Sequence, residues 1–497
     1  MKAPTITVKV DNVYSYAYVT NINFANIVLN DMAFFVDNYK YTTAYKKGGW
    51  DGKIRFAQYY PPKLRFYTGL LYRFAKLCKK NKFEIEYIDI RKKPEKSIGL
   101  ELANANKLRD YQEESLQQII KKQRGIVQAP TGSGKTEMFI HLIHRLNLPT
   151  LILTHTQDLM FQTAERCLNA FDLPEIGIIG AGTWEPSDKV TVALFQSLAS
   201  MFKENKKMFS ELMNKYDVII VDEAHHVNYN AKTFSKIVEK CPAYYRYAFT
   251  ATPKRNKSET ATDMQLVALF GPKIVEIGKD TLIQKGYLSP YKVTIVHYPI
   301  TQMYPTKQEY LQEYALDADG EMSKATVAYR QAFKDCIINN DTRLDTIGYL
   351  LKKHKDDSVL ISCHSEELCS KIAERFSIHE ITGNTSRFSK ADRLRVYKDF
   401  REGKIKHLVA TNIYSEGIDF PKLKVIILAE PFKSNILLLQ KVGRTMRKHD
   451  SKKYGLVYDF DDSKLPFFDK QYRTRYKMYK EEGVEINHLK ITEEDLS

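Results

Sequence analysis

Residues 129–136 read APTGSGKT, after an apolar run and ahead of a helix-like segment. A glycine-rich turn in that position aims backbone N–H groups at phosphate oxygens, and the start of the helix adds a favourable field. Pro130, Thr131, Gly132, Ser133 and Gly134 form the cradle in this reading. Lys135 neutralises the β- and γ-phosphates, and the Thr136 hydroxyl coordinates Mg²⁺. The strict pattern opens on glycine where this chain has Ala129; the two glycines nearest the phosphates are kept. Such a site needs a carboxylate at the end of another strand. VIIVDEAHH, residues 218–226, supplies Asp222 to hold the metal and Glu223 to orient and polarise an attacking water. Paired acids at a strand end can simply cap a helix; beside a phosphate loop they predict nucleoside triphosphate hydrolysis. Of twelve histidines only His225 falls inside this motif, while His141, His144 and His226 read as structural or exposed.

These groups converge only if several strands end side by side. The runs GIVQA (125–129), TLILT (150–154), VTVAL (190–194), VIIVD (218–222) and YAFTA (247–251) are each followed by a loop and a helix-like segment. That alternation predicts an α/β core of parallel strands with helical crossovers. A less regular stretch follows, from about Gly271 to Asp341. The alternation resumes with SVLIS (358–362), HLVAT (407–411), VIILA (425–429) and LVYDF (456–460), which suggests a second α/β unit. The polar stretch Arg91–Lys107 sets off an N-terminal region, and DKQYRTRYKMYKEE (469–482) reads as a helix in a charged tail.

A chain of 497 residues exceeds one core and suggests three or so domains. Its net charge of +16 favours a polyanionic partner, a nucleic acid or an anionic membrane surface. No amphipathic anchor or lipidation signal accompanies the charge, so nucleic acid is the better match. No apolar run approaches the ~20 residues of a membrane helix. The opening MKAPTITVKVDN lacks a signal-peptide core, which points to the cytoplasm. The six cysteines (78, 167, 241, 336, 363, 369) contain no C-x-x-C pair, so they read as buried thiols rather than zinc or iron–sulfur ligands.

With APTGSGKT and DEAH in one chain, an ordered motif set emerges between Leu108 and Asp461. It resembles the superfamily 2 nucleic-acid helicases and translocases. The resemblance implies two RecA-like motor domains with parallel sheets, preceded by a small α/β N-terminal domain. It places boundaries at 1–95 for a basic DNA-binding domain, 96–275 and 276–465 for the motor domains, and 466–497 for a charged helical tail. LRDYQ (108–112) is similar to the adenine-sensing element, with Arg109 and Gln112 at the base. LTHTQDLMFQ (153–162) and ALFQSL (193–198) sit where the first motor domain contacts the nucleic-acid backbone, which implicates His155, Gln196 and Ser197. FTATPKR (249–255) resembles the element that couples nucleotide to strand through Thr250 and Thr252, with His225 beside it.

In the second motor domain, VLISCHS (359–365) and ITGNTS (381–386) resemble backbone-contacting loops and implicate His364 and Thr382. ATNIYSEGIDFP (410–421) resembles a loop touching both nucleotide and strand, through Gly417 and Asp419 with Thr411 on the strand. QKVGRTMRKHD (440–450) matches Q-x-x-G-R-x-x-R. The resemblance puts Gln440 at the γ-phosphate and makes Arg444 and Arg447 arginine fingers, more than 300 residues beyond Lys135. Guanidinium suits that task because it is planar, permanently charged and able to bind phosphate oxygens bidentately. The implied cofactors are ATP and Mg²⁺, with ATP bridging the two motor domains.

Within the superfamily, GGWDGKIRF (48–56) resembles the G-N-W-D-G-R-I-R run in the small leading domain of bacteriophage UvsW-type helicases. The motor also resembles XPB- and RecG-like enzymes. The UvsW likeness implies remodelling of forks, Holliday junctions and R-loops, with RNA–DNA hybrid a further substrate; a monomer is the expected state, in the host cytoplasm if the chain is phage-encoded. RNA helicases and double-stranded DNA translocases are the rival readings. Tyr41–Lys80 holds ten Lys/Arg against the single acid Asp51, with ten aromatics among them. Such a mixture suits a surface that tracks phosphates and stacks on unpaired bases. In the segment after Gly69, Leu70, Phe74 and Leu77 share one helical face, and Arg73, Lys76 and Lys80 another. Trp50 serves either the small domain's core or the DNA; Lys53 and Arg55 beside it read as DNA contacts.

Overall fold

The structure, a computed structural model, describes residues 4–94, 97–227, 232–251, 259–314, 324–383, 387–411, 420–433, 438, 441–443, 445–449 and 452–496. The chain divides into two compact units, Met1–Lys279 and Asp280–Ser497. Among the described residues no helix is long and apolar enough to cross a membrane.

The first unit begins with β1 (Thr5–Val10), β2 (Tyr14–Tyr18), β3 (Ala33–Phe35), β4 (Lys53–Arg55), β5 (Ala57–Tyr60), β6 (Lys63–Tyr67) and β7 (Glu84–Asp89). Five of them form a sheet in the order β5-β6-β2-β1-β7, while β3 and β4 pair apart as an antiparallel ribbon. The strands alternate buried and exposed residues, and the buried face packs on helices Ile22–Asp31 and Leu71–Lys80. In the second of these helices Phe74 is fully buried, while Arg73 pairs with Asp31 and Glu259. This core is not closed on itself. Ala261, Met264 and Ala268 of helix Ala261–Phe270 complete it, and Leu266, Leu269 and Phe270 of the same helix belong to the next core. At the seam a Cβ on Gly69 would lie 2.2 Å from the Val267 carbonyl oxygen, so only glycine permits the approach.

The next core surrounds β8 (Arg124–Gln128), β9 (Thr150–Thr154), β10 (Gly177–Gly180), β11 (Thr183–Glu185), β12 (Val190–Leu194), β13 (Val218–Val221), β14 (Tyr245–Thr250) and β15 (Lys273–Glu276). Their order is β11-β10-β12-β9-β13-β14-β8-β15, parallel throughout except for the β10–β11 hairpin. Strands β9, β12 and β13 are buried along their whole length, and their mostly apolar sequences reflect burial on both faces.

The second unit carries a wholly parallel sheet of β16 (Tyr291–His297), β17 (Val359–Ser362), β18 (His379–Ile381), β19 (His407–Ala410), β20 (Val425–Leu428), β21 (Gly455–Phe460) and β22 (Glu485–Lys490), in the order β18-β19-β17-β20-β21-β16-β22. The stretch that reads as irregular, 271–341, therefore supplies strands β15 and β16. The C-terminal segment holds the expected helix, Asp469–Glu481, but also β22, which pairs with β16 over six residues. It is thus part of the sheet rather than a helical tail. Inside this helix Arg475 is buried, donating to the Asp459 carboxylate and to the Phe432 carbonyl. Arg343 faces Asp462 in the same interior. All six cysteines are buried free thiols.

Candidate active site

Strands β13, β14 and β8 are adjacent and parallel. The acid pair leaving β13, Thr250 ending β14 and the phosphate loop leaving β8 therefore emerge along one sheet edge, where open α/β sheets gather ligands. The loop is anchored there: the Ala129 N–H donates to the Thr250 carbonyl at 3.0 Å. Gly132 and Gly134 have φ of 82° and 76°, left-handed values that strain any Cβ-bearing residue. A Cβ on Gly134 would also lie 2.5 Å from the Gln112 amide nitrogen. Gly134 caps helix Lys135–Leu146, so the loop runs directly into the positive end of a helix dipole.

Behind the loop stands a brace. Gln112 Nε2 donates to the carbonyls of Ser133 at 2.9 Å and Gly134 at 3.4 Å, and the Tyr111 hydroxyl donates to Ser133 at 2.6 Å. The Arg109 N–H donates to Gln112 Oε1 at 2.9 Å, and its guanidinium reaches the Tyr111 hydroxyl at 3.3 Å. Residues 109–112 thus hold the loop from its protein side. Tyr111 is a part of this brace that motif reading does not single out.

Inside the loop, Lys135 is only 9% exposed, with Nζ 3.5 Å from the Ala129 carbonyl and 3.4 Å from Glu223 Oε1. The Ser133 hydroxyl is buried and makes no hydrogen bond among the described residues. Asp222 is buried, and its Oδ1 accepts the Glu223 N–H at 2.9 Å. Glu223 takes a left-handed φ of 48°, a conformation rare for a carboxylate residue, and this turns its side chain toward Lys135. Its Oε2 lies 3.5 Å from His225 Nδ1, which in turn lies 3.2 Å from the Thr250 hydroxyl. A continuous polar line, Lys135–Glu223–His225–Thr250, joins the phosphate loop to the end of β14. A buried lysine held against the Glu223 carboxylate, with the buried Asp222 next to it in sequence and a glycine turn that opens a helix, fits a polyphosphate with a divalent cation.

The histidines extend that line. His225 and His226 rings lie 4.3 Å apart, and His226 stacks on His155 at 3.9 Å with 22° between planes. The His155 carbonyl accepts from Gln196 Nε2 at 3.0 Å, and Ser197 follows on helix Phe195–Glu204. His226 is therefore a physical bridge between the acid pair and the loop after β9. Nothing in its sequence position marks it.

In the second unit, His364 follows β17 with its ring 5.5 Å from Phe432. Burial and the nearby Lys441 push its pKa down to about 3. Thr382 is fully buried and Thr411 nearly so. Arg447 lies in an isolated antiparallel bridge with Leu288. Thr252, Gly417, Asp419, Gln440 and Arg444 lie outside the described residues.

The KKGGWDGKIR run forms the return into β4. Trp50 is half-buried against the small domain's core, and its indole N–H donates to the Lys53 carbonyl at 2.9 Å. Arg55 is paired with Asp51, whose carboxyl is held below its usual range chiefly by that guanidinium.

Three family models match the chain: the res subunit of type III restriction enzymes over residues 105–255, the helicase conserved C-terminal domain over 342–449, and the N-terminal domain of DNA helicase UvsW over 5–89. The DNA 3'-5' translocase XPB2 of Sulfurisphaera tokodaii is 26% identical over 69% of this chain and 79% of its own length. The ATP-dependent DNA helicase uvsW of Enterobacteria phage T4 is 25% identical over 87% of this chain and 85% of its own. Two further relatives are longer, the match taking in 60% and 50% of their lengths. Among solved structures, the ATP-dependent type ISP restriction-modification enzyme LlaBIII bound to DNA shares the fold. Its TM-score is 0.56, with 18% identity over 84% of this chain and 34% of that one.

Proposed function

We propose, given that the chain belongs to the superfamily 2 helicases and is an ATP-hydrolysing helicase, that its substrate is branched DNA: forks, four-way junctions and R-loops. The observation that carries the motor reading is the line Lys135–Glu223–His225–Thr250, which ties the phosphate loop to a strand end. The loop amides and Lys135 bind the β- and γ-phosphates, and Arg109 and Gln112 stand at the base. Thr136 and Asp222 would hold Mg²⁺, which when bound neutralises charge between β- and γ-oxygens. Glu223 orients the attacking water and accepts its proton. Arg444 and Arg447, with Gln440, supply positive charge to the transferring phosphoryl, a contribution of ~10³–10⁵ in rate for such groups. His225, Thr250 and Thr252 couple the site to the strand, together with Gly417 and Asp419. His155, Gln196, Ser197, His364, Thr382 and Thr411 belong to the loops that grip DNA.

The branched-DNA reading is supported by the small basic domain at residues 5–89, which shares its core with the first motor domain. A panel of fork, four-way junction, R-loop, plain duplex and single strand tests it, scored for ATPase and strand displacement with Lys135→Ala as control. Branched substrates are expected to give the highest rates. Equal activity on blunt duplex refutes the junction preference and leaves the motor standing. A second reading, a duplex translocase without strand separation, is favoured by the match of residues 105–255 to a restriction-enzyme subunit. ATPase stimulated by blunt duplex with no displacement on any substrate would select it.

A further inference from the structure

Between β3 and β4 a long connection forms a prong rooted on the small domain's core through Val36, Tyr39 and Trp50, and its neck closes with the Val36 N–H donating to the Gly52 carbonyl at 2.9 Å. A stack of rings runs along it. Phe35 and Tyr39 lie face to face at 4.5 Å, and Tyr45 meets Tyr39 edge-on at 4.8 Å. Gly52 sits against the Tyr39 ring, where a Cβ would approach a ring carbon to 2.2 Å. The Lys53 ammonium lies 4.7 Å from the centre of the Phe35 ring. Thr42 ties the tip: its hydroxyl accepts from the Tyr45 N–H at 3.4 Å and donates to the Tyr39 carbonyl at 2.8 Å.

Trp50, Asp51, Gly52, Lys53 and Arg55 are thus occupied with one another and with this stack. They buttress the prong. What it displays is different in kind. Tyr41 is 78% exposed, and Lys40, Lys46 and Lys47 around it are exposed as well. From residue 37 to 55 there are five cations against two acids, one of which is engaged by Arg55. Folding gains nothing from a tyrosine held in water, since burying a large side chain contributes roughly 1.5–3 kcal/mol. A rigid, cationic mount with an outward ring is the arrangement that stacks on an unpaired base while neutralising its neighbouring phosphates.

We infer that the prong is a base-stacking wedge: Tyr41 stacks on an unpaired base at the branch point, and Lys40, Lys46 and Lys47 take the flanking phosphates. This rests on the reading of DNA as the substrate and names the part of the chain that meets the branch.

The test uses the full chain and a fork carrying 2-aminopurine at the first unpaired position, with plain duplex and single strand alongside. The wild-type chain quenches the probe. Tyr41→Ala is expected to bind the fork about 5- to 150-fold more weakly, the range for one lost stacking contact, and to lose the quench. Tyr41→Trp restores both, and duplex binding changes little. Replacing Lys40, Lys46 and Lys47 with serine lowers the slope of log affinity against log salt by about 2–3. Tyr41 is exposed, so an unchanged thermal melt shows that its variant folds. Fork affinity within twofold of wild type with the quench intact overturns the wedge. If the wild-type chain binds fork no better than duplex, the branched-DNA reading fails. The single-strand arm then decides the prong, where Tyr41→Ala must still weaken binding and quench or the wedge falls too.

Discussion

Arg475→Met removes one charge from a buried cluster of ionised side chains. Arg475 and Asp459 are each 1% exposed, while Arg343 and Asp462 are fully buried. The Arg475 guanidinium meets the Asp459 carboxylate at 2.8 Å and 2.9 Å, and the Tyr479 hydroxyl donates to the same carboxylate at 2.9 Å. Two guanidinium groups thus face two carboxylates, with the buried Lys441 and Glu430 beside them, in a space without water's screening. Methionine fills comparable volume but leaves one carboxylate uncompensated, a change that costs about 3–5 kcal/mol in buried pairs. If β21 and β22 exchange their amide protons by opening of the second unit, that loss appears as exchange about 150- to 5,000-fold faster. Hydrogen exchange read on peptides spanning 455–460 and 485–490 measures it site by site. The double variant Arg475→Met with Asp459→Leu removes both charges and is expected to recover most of the protection, because an apolar pair of similar size is often neutral. A single variant less than about 5-fold faster, or a double variant no better than the single, would refute the claim that charge balance rather than packing holds this helix to the sheet.

Glu223→Gln keeps the shape of the acid but cannot take a proton; hydrolysis is expected to fall about 10²–10⁴-fold with nucleotide still bound, measured by single-turnover ATPase and a fluorescent-nucleotide titration. His226→Ala breaks the imidazole stack between His155 and His225, and the ratio of DNA-stimulated to basal ATPase is expected to drop about 2- to 10-fold; an unchanged ratio removes His226 from the coupling path. His364 takes up a proton near its ordinary pKa when unfolded but only near pH 3 when folded. Acid therefore favours the unfolded state, and stability is lost as pH falls below about 6.5, by at most about 1.4 kcal/mol per unit. Urea titrations of His364→Gln between pH 7 and 4.5 are expected to show a shallower decline than wild type.

The phosphate loop and acid pair are legible because their residues are contiguous and their types are tied to one chemistry. Their meeting is not, because it depends on strand order: β14, which parts β13 from β8, comes from a segment far from the loop in sequence. The Tyr111 brace and the His226 stack escape for a related reason, since a tyrosine beside a glutamine and a second histidine after DEAH carry no spacing rule. The strand β22, EINHLK, is too polar to announce itself; it exists because β16 offers an open edge, with Lys292–Glu485 and His297–His488 fixing its register. Helix 261–270 held an unread signal. Ala261 through Leu266 are all buried, including Thr262, Asp263 and Gln265, as a helix between two cores requires. In the GGWDGKIR run the resemblance and the surrounding cations are legible, but the ties of the Trp50 indole to the Lys53 carbonyl and of Arg55 to Asp51 are not, because they depend on the turn that brings these residues together.

That shared helix also limits what can be rearranged. A domain on a flexible leash can be exchanged between proteins by cutting the leash, but here the leash ends are not the boundary. Residues 261–270 lie about 170 positions beyond the small domain in sequence, yet Ala261, Met264 and Ala268 are part of its interior. Recombination that swaps the N-terminal segment alone would leave a hole in the graft and an orphaned apolar face on the recipient. The two pieces must be inherited together, across all the intervening chemistry. The prong is thereby bound to the fate of one particular engine.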